Sequence, residues 1–167
     1  MKQKIIERIA AIREIMHHEN LDAFYISGTD PHMSEYLCDY WQTRKFFTGF
    51  TGSFGEMLIT RESAGLWTDT RYFIQAEEQL AGTSISMHKL RVPEAIPVSK
   101  WLKLNIQAGC RIGVDPLSLP LATYRLFREE LDSLNIEIVF LPDAINEVWA
   151  NRPPLPQKPV FEHPEIQ

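Results

Sequence analysis

The chain has 167 residues, of which 44% are hydrophobic and 23% charged, and its formal net charge is −5. That length suits one domain with enough apolar material for its own core, so no disulfide or metal staple is required. The acidic balance and scattered basic residues argue against nucleic acid or an anionic membrane as partner, and no apolar run is long enough to span a bilayer.

The first segment is amphipathic: Ile5, Ile9, Ile12 and Met16 recur at helical spacing among Lys, Glu and Arg, which predicts a helix over 3–18. It lacks the apolar core of a secretory signal, so a cytoplasmic protein is expected, with Cys38 and Cys110 as reduced thiols sharing no metal or redox spacing. Leu21 to Gly28 is a short apolar run ending in glycine and reads as a buried strand.

Residues 28–55 read as a long connection, with a turn at Thr29-Asp30-Pro31 and a single helical turn at His32–Tyr36. Its aromatics, from Tyr36 to Phe50, are expected to pack down rather than stand in water. Gly55–Thr60 and Gly65–Thr68 read as the two strands of a hairpin. Thr68 or Asp69 is placed to cap a following helix that buries Phe73, Ala76 and Leu80 and stops at Gly82.

Thr83–His88 alternates like a half-buried strand. Pro93 and Pro97 precede a helix with Val98, Trp101 and Leu102 inside. Arg111–Asp115 is a strand, and Pro120 opens a helix whose inner face is expected to hold Leu121, Tyr124, Phe127 and Leu131. Ile136–Leu141 is the last strand, and Asp143 is placed to cap a short helix ending near Trp149. From Asn151 the prolines at 153, 154, 156 and 159 favour extended chain, so residues 151–167 read as an interdomain linker after a domain spanning 1–150.

The isolated constellations are weak. His17, His18, His32, His88 and His163 show no i, i+4 pair and no acidic cluster, so no metal site is expected. Ser53 lies in Gly52-Ser53-Phe54-Gly55, which is not a nucleophile elbow, and no His/Asp partner can be assigned to it. Gly49, Gly52 and Gly55 precede a strand rather than a helix, which argues against a phosphate loop. Asp69 and Arg71 at a strand-to-helix junction read as a cap with a surface ion pair, or as a guanidinium offered to a carboxylate or a neighbouring domain.

Taken in order, several segments resemble one family. They are His32-Met33-Ser34-Glu35-Tyr36, Phe50-Thr51-Gly52-Ser53, Trp67-Thr68-Asp69-Thr70-Arg71-Tyr72-Phe73, Gly113-Val114-Asp115-Pro116, and Trp149 to Arg152-Pro153. The chain is similar to the creatinase/prolidase-type N-terminal domain of Xaa-Pro aminopeptidase (aminopeptidase P) in its longer, three-domain form. The resemblance implies an α/β fold, a mixed sheet of about six strands flanked by helices in a ribonuclease H-like arrangement. It also implies a separate C-terminal catalytic domain that binds two divalent metal ions, with manganese expected, and removes a residue preceding proline. This chain would hold no catalytic residue and no cofactor of its own. It would shape access for Xaa-Pro peptides and contact the catalytic domain or a second subunit.

By the same resemblance, His32, Arg44, Arg71 and Tyr72 are the candidates for facing the substrate cleft. The chain departs from the family at Arg44-Lys45, where two arginines are common, and at Phe54, where a small residue is common. A different reading is a stand-alone binding or scaffold module that holds a partner through the aromatic loop 40–54.

Overall fold

The computed structural model describes residues 2–159 and 162. The elements in chain order are α1 (Lys2–His18), β1 (Ala23–Ile26), α2 (Thr43–Thr48), β2 (Glu56–Thr60), β3 (Ala64–Thr68), α3 (Phe73–Leu80), β4 (Ile85–Lys89), α4 (Val98–Asn105), β5 (Arg111–Val114), α5 (Leu121–Glu130), β6 (Glu137–Phe140) and α6 (Ala144–Val148). Short 3-10 turns cover Asp39–Trp41, Thr70–Tyr72 and Asp132–Leu134.

The strands form one six-stranded sheet in the order β4-β3-β2-β1-β5-β6. β2 pairs antiparallel with β1 and with β3, while β3–β4, β1–β5 and β5–β6 are parallel. Every strand but β2 therefore runs the same way, and their carboxyl ends meet at one end of the sheet. This is the mixed six-stranded α/β sheet that the sequence predicts.

Strand alternation divides the core in two. Phe24 and Ile26 of β1, Met57 and Ile59 of β2, and Leu66 of β3 face α1, α2, α3 and α6. Tyr25, Leu58, Trp67, Ile112 and Val114 face α4 and α5 on the other side. The predicted stripe of α1 is buried as expected at Ile5, Ile9, Ile12 and Met16. At Gly113 a methyl group would sit 2.6 Å from Leu21 and 2.8 Å from Phe24, so only glycine lets these side chains cross the middle of the sheet.

Several local expectations are corrected. Thr43–Thr48 is helix α2, not loop. Its β-branched and aromatic residues are poor helix formers, but burial of Phe46 and Phe47 against α1 overrides propensity. Gly49, at φ 71°, ends the helix by donating its N–H to Lys45 O.

His32–Tyr36 is not a helical turn. The Asp30 carboxylate accepts the N–H groups of His32 and Ser34, each at 2.9 Å, which holds a local turn in competition with helix. Asp143 precedes α6 but makes no side-chain cap. In α5 only Phe127 and Leu131 of the expected face are buried, and Leu121 is 60% exposed. The first turn of this helix borders an open cleft instead, with Pro120 and Thr123 on its wall.

Residues 152–159 carry no helix or strand, and residues 160, 161 and 163–167, including His163, lie outside the described residues. Among the described residues no helix is long and apolar enough to cross a membrane. Cys38 and Cys110 are both free thiols.

Candidate functional site

At the carboxyl ends of the parallel strands lies a cleft of about 440 Å³. Ligands in open α/β sheets settle at this end because loops diverge there and leave a crevice. Ser27 and Gly28 after β1, Ser53–Glu56 at the start of β2, Arg71 after β3, and Pro120 and Thr123 of the α5 entry line it. Met33, Ser34 and Glu35 close one side. Gly28 is required where it stands. Its φ is +66°, and a side-chain carbon there would lie 2.1 Å from the Gly55 carbonyl oxygen.

Asp69 organises one wall. It is fully buried just after β3 and accepts the Arg71 N–H at 3.1 Å, which caps the 3-10 turn Thr70–Tyr72 and not, as expected, α3 itself, whose first residues have no side-chain cap. Its two oxygens also take the Arg71 guanidinium, with Nη2 at 2.9 Å, and Arg91 Nη1 lies 3.5 Å away. The hydrogen bonds from the Arg71 side chain hold the Asp69 carboxyl below its ordinary range against the opposing effect of burial. Arg71 and Arg91 then stand 5.8 Å and 5.3 Å from the Phe54 ring. That ring is 36% exposed, so the bulky residue turns outward and leaves the glycine-lined loop beneath it undisturbed.

The four candidates from the sequence have different fates. Arg71 lines the cleft, with its guanidinium pinned by Asp69. Tyr72 sits beside it, partly exposed, with its hydroxyl 2.7 Å from Ser53 Oγ and its ring edge-on to Phe50 at 5.8 Å. His32 is exposed on the turn that carries the cleft residues Met33–Glu35, but its own side chain is not part of the lining.

Arg44 does not face the cleft. It is 4% exposed, donates through Nη2 to the Gly52 carbonyl, and lies 4.9 Å from the Phe50 ring centroid. Its Nε and Nη1 have no protein partner, and burial pushes its pKa down to about 10. The tightly packed Gly28, Gly52 and Gly55 backbone seals it beneath the cleft floor.

Two cleft residues escape the sequence reading. Tyr25 is 3% exposed and its hydroxyl donates to Glu56 Oε2 at 2.5 Å. Burial raises the Glu56 carboxyl, partly offset by that hydrogen bond. Burial, then the Glu56 charge, raises the Tyr25 phenol well above its usual value. The available signal was period-two alternation. It places Glu56 on the same inner face as Leu58, where a carboxylate is out of place.

The aromatic loop offers little surface to a partner. Trp41, Phe46, Phe47 and Phe50 are all buried, so the density of aromatics in 40–54 reflects core and not a docking patch. Tyr40 is occupied from within: the Arg152 guanidinium lies 3.6 Å from its ring centroid. Among the described residues, no group of three His, Cys, Asp or Glu side chains gathers as a metal site.

The profile of the creatinase/prolidase N-terminal domain matches residues 8–148. The chain belongs to this family. It is 37% identical over 155 residues to human Xaa-Pro aminopeptidase 2, and that match takes in 92% of this chain but 23% of the relative. Aminopeptidase P2 of Arabidopsis thaliana is 32% identical over 159 residues, covering 93% of this chain and 22% of the relative.

Among solved structures, it is similar to the X-prolyl aminopeptidase of Caenorhabditis elegans, a cytosolic enzyme with a di-nuclear active site. The TM-score is 0.84 and the identity 33%, over 91% of this chain and 26% of that one. The N-terminal domain of the cytoplasmic peptidase PepQ from Mycobacterium tuberculosis shares the fold, with a TM-score of 0.61 at 20% identity, over 85% of this chain and 98% of that one. The chain thus spans about a quarter of the length of the curated relatives it matches. Within those metallopeptidases the matching region is the N-terminal domain, separate from the catalytic one.

Proposed function

We propose that this chain is the non-catalytic N-terminal domain of a longer, cytoplasmic, metal-dependent Xaa-Pro aminopeptidase. The observation that carries this reading is the lopsided match: over nine-tenths of this chain aligns with about a quarter of each enzyme. In this reading residues 151–167 are the linker to a C-terminal catalytic domain, which holds two divalent metal ions, manganese by preference, and cleaves the bond before proline. The domain shapes access of Xaa-Pro peptides to that centre and contacts the catalytic domain or a second copy of the chain. Arg71 on the cleft wall, with Tyr72 and the His32 turn beside it, is the surface we assign to that task.

The test is peptidase activity on a short Xaa-Pro peptide with added manganese, measured in parallel on the 167-residue protein and on a longer chain that continues into a catalytic domain. Cleavage by the longer chain alone is the expected result. Metal-dependent cleavage by the 167-residue protein sinks the non-catalytic assignment.

A further inference from the structure

The cleft contains a carboxylate that the chain itself does not neutralise. Glu56 is the first residue of β2, with one oxygen accepting from the Tyr25 hydroxyl at 2.5 Å. Among the described residues, no Lys, Arg or His nitrogen makes an ion pair with it. The one guanidinium in the cleft lining, Arg71, turns its Nε and Nη2 to the two oxygens of Asp69 and makes no ion pair with Glu56. Glu35 adds a second carboxylate to the lining.

A partly buried carboxylate without a cation is costly, because neither water nor a counter-charge fully replaces its hydration. The fold retains this one at the inner wall of a concavity whose volume suits a small ligand. Around it stand Met33, 65% exposed, and Phe54, 36% exposed, two apolar side chains available to cover the body of such a ligand.

We propose that this cleft is a binding site for an ammonium group, received by Glu56 with Tyr25 holding the carboxylate in place. A primary ammonium supplies the missing positive charge and directional donors, while the apolar side chains shield the pair from water. The ammonium can belong to the N-terminus of a peptide or to a lysine side chain. The assignment does not depend on the aminopeptidase reading, since it needs neither proline nor a metal.

The experiment is an NMR titration of the 167-residue protein with trialanine, N-acetyl-trialanine and N-acetyl-lysine amide, each to about 10 mM, the range in which a small charged ligand of modest affinity saturates. Binding of trialanine, with shifts at Tyr25, Gly55 and Glu56 and at least a tenfold loss on acetylation, is expected if the site takes a peptide N-terminus. Binding of the lysine amide alone supports the site and assigns it to a side chain. In either case the Glu56 carboxyl carbon titrates at lower pH with ligand bound, with Tyr25, Glu35 and Arg71 the other titratable groups facing the cleft. Glu56→Gln, checked for an intact amide spectrum, weakens binding at least tenfold. Equal binding of acetylated and free peptide, shifts confined to other surfaces, or no shifts with any of the three overturns the proposal. These outcomes use the wild-type protein and stand even if the variant fails to fold.

Discussion

Arg152 folds back onto Tyr40: its guanidinium lies 3.6 Å from the centroid of the Tyr40 ring, and its Nε donates to the Tyr40 carbonyl at 2.9 Å. Asn146 Oδ1 accepts from Nη1 at 2.8 Å, and the rings of Trp41 and Trp149 stand 5.6 Å and 5.7 Å away. The chain is therefore anchored at Arg152, just before the proline-rich residues 153–159.

Arg152→Ala removes the cation–π contact and both hydrogen bonds. The expected loss of stability is about 1–2 kcal/mol, since the side chain remains partly exposed to water. Urea unfolding measures it. Limited proteolysis should show faster cutting in 153–159 with the rest of the chain intact; unchanged cutting would show that Arg152 does not hold the segment.

Phe47 and Phe54 lie seven residues apart on a stretch that looks uniformly aromatic, yet they are 0% and 36% exposed. Phe47→Ala leaves a cavity against α1 and should cost about 3–5 kcal/mol. Phe54→Ala should cost less than about 1 kcal/mol, as expected for an outward residue. Chemical denaturation of the two variants checks the contrast, and similar losses would contradict the burial.

Asp69 links stability to acid. Its carboxyl is held below the ordinary range by the Arg71 side chain, so the stability it contributes is present above the unfolded pKa of about 3.8 and fades as pH falls through the lower folded value. Asp69→Asn should lose about 1–2 kcal/mol at neutral pH, after allowance for the exposure of Arg71 and Arg91. The wild-type advantage should shrink in melts below pH 4; an advantage constant down to pH 2 would exclude the charged pair as its source.

His88 stacks on Trp67 with ring centroids 4.0 Å apart and planes 6° from parallel, and Trp101 stands edge-on to it at 6.2 Å. Burial lowers its pKa, so the neutral ring is the folded form. The unfolded chain then binds the extra proton first. Stability is complete above the unfolded value near 6.5 and declines as pH falls through the folded one. Thermal melts from pH 8 to 5 should show this decline in the wild type and a shallower one in His88→Phe. Parallel profiles would locate the titration elsewhere.

The sequence by itself determined which segments become helix or strand wherever periodicity was strong. The stripe Ile5, Ile9, Ile12, Met16 can bury its apolar side chains only as a helix. Gly55–Thr68, two short apolar runs around a polar turn, can bury both faces of those runs within a sheet as a hairpin. The ordered segments around Trp67–Phe73 also sufficed for the family. Only the tertiary structure decided that Thr43–Thr48 is helical, because α1 supplies the burial that its residues need and its local propensity does not.

The site divides in the same way. Asp69 and Arg71 are two residues apart, and their bond is local enough to be read from the chain. Tyr25 and Glu56 are 31 residues apart and meet only through the β1–β2 register. Arg44 has the composition of a binding residue, yet the fold seals it under three glycines. Burial and long-range pairing depend on how segments pack, and the one-dimensional pattern of a segment records which face it must hide but not what will cover it.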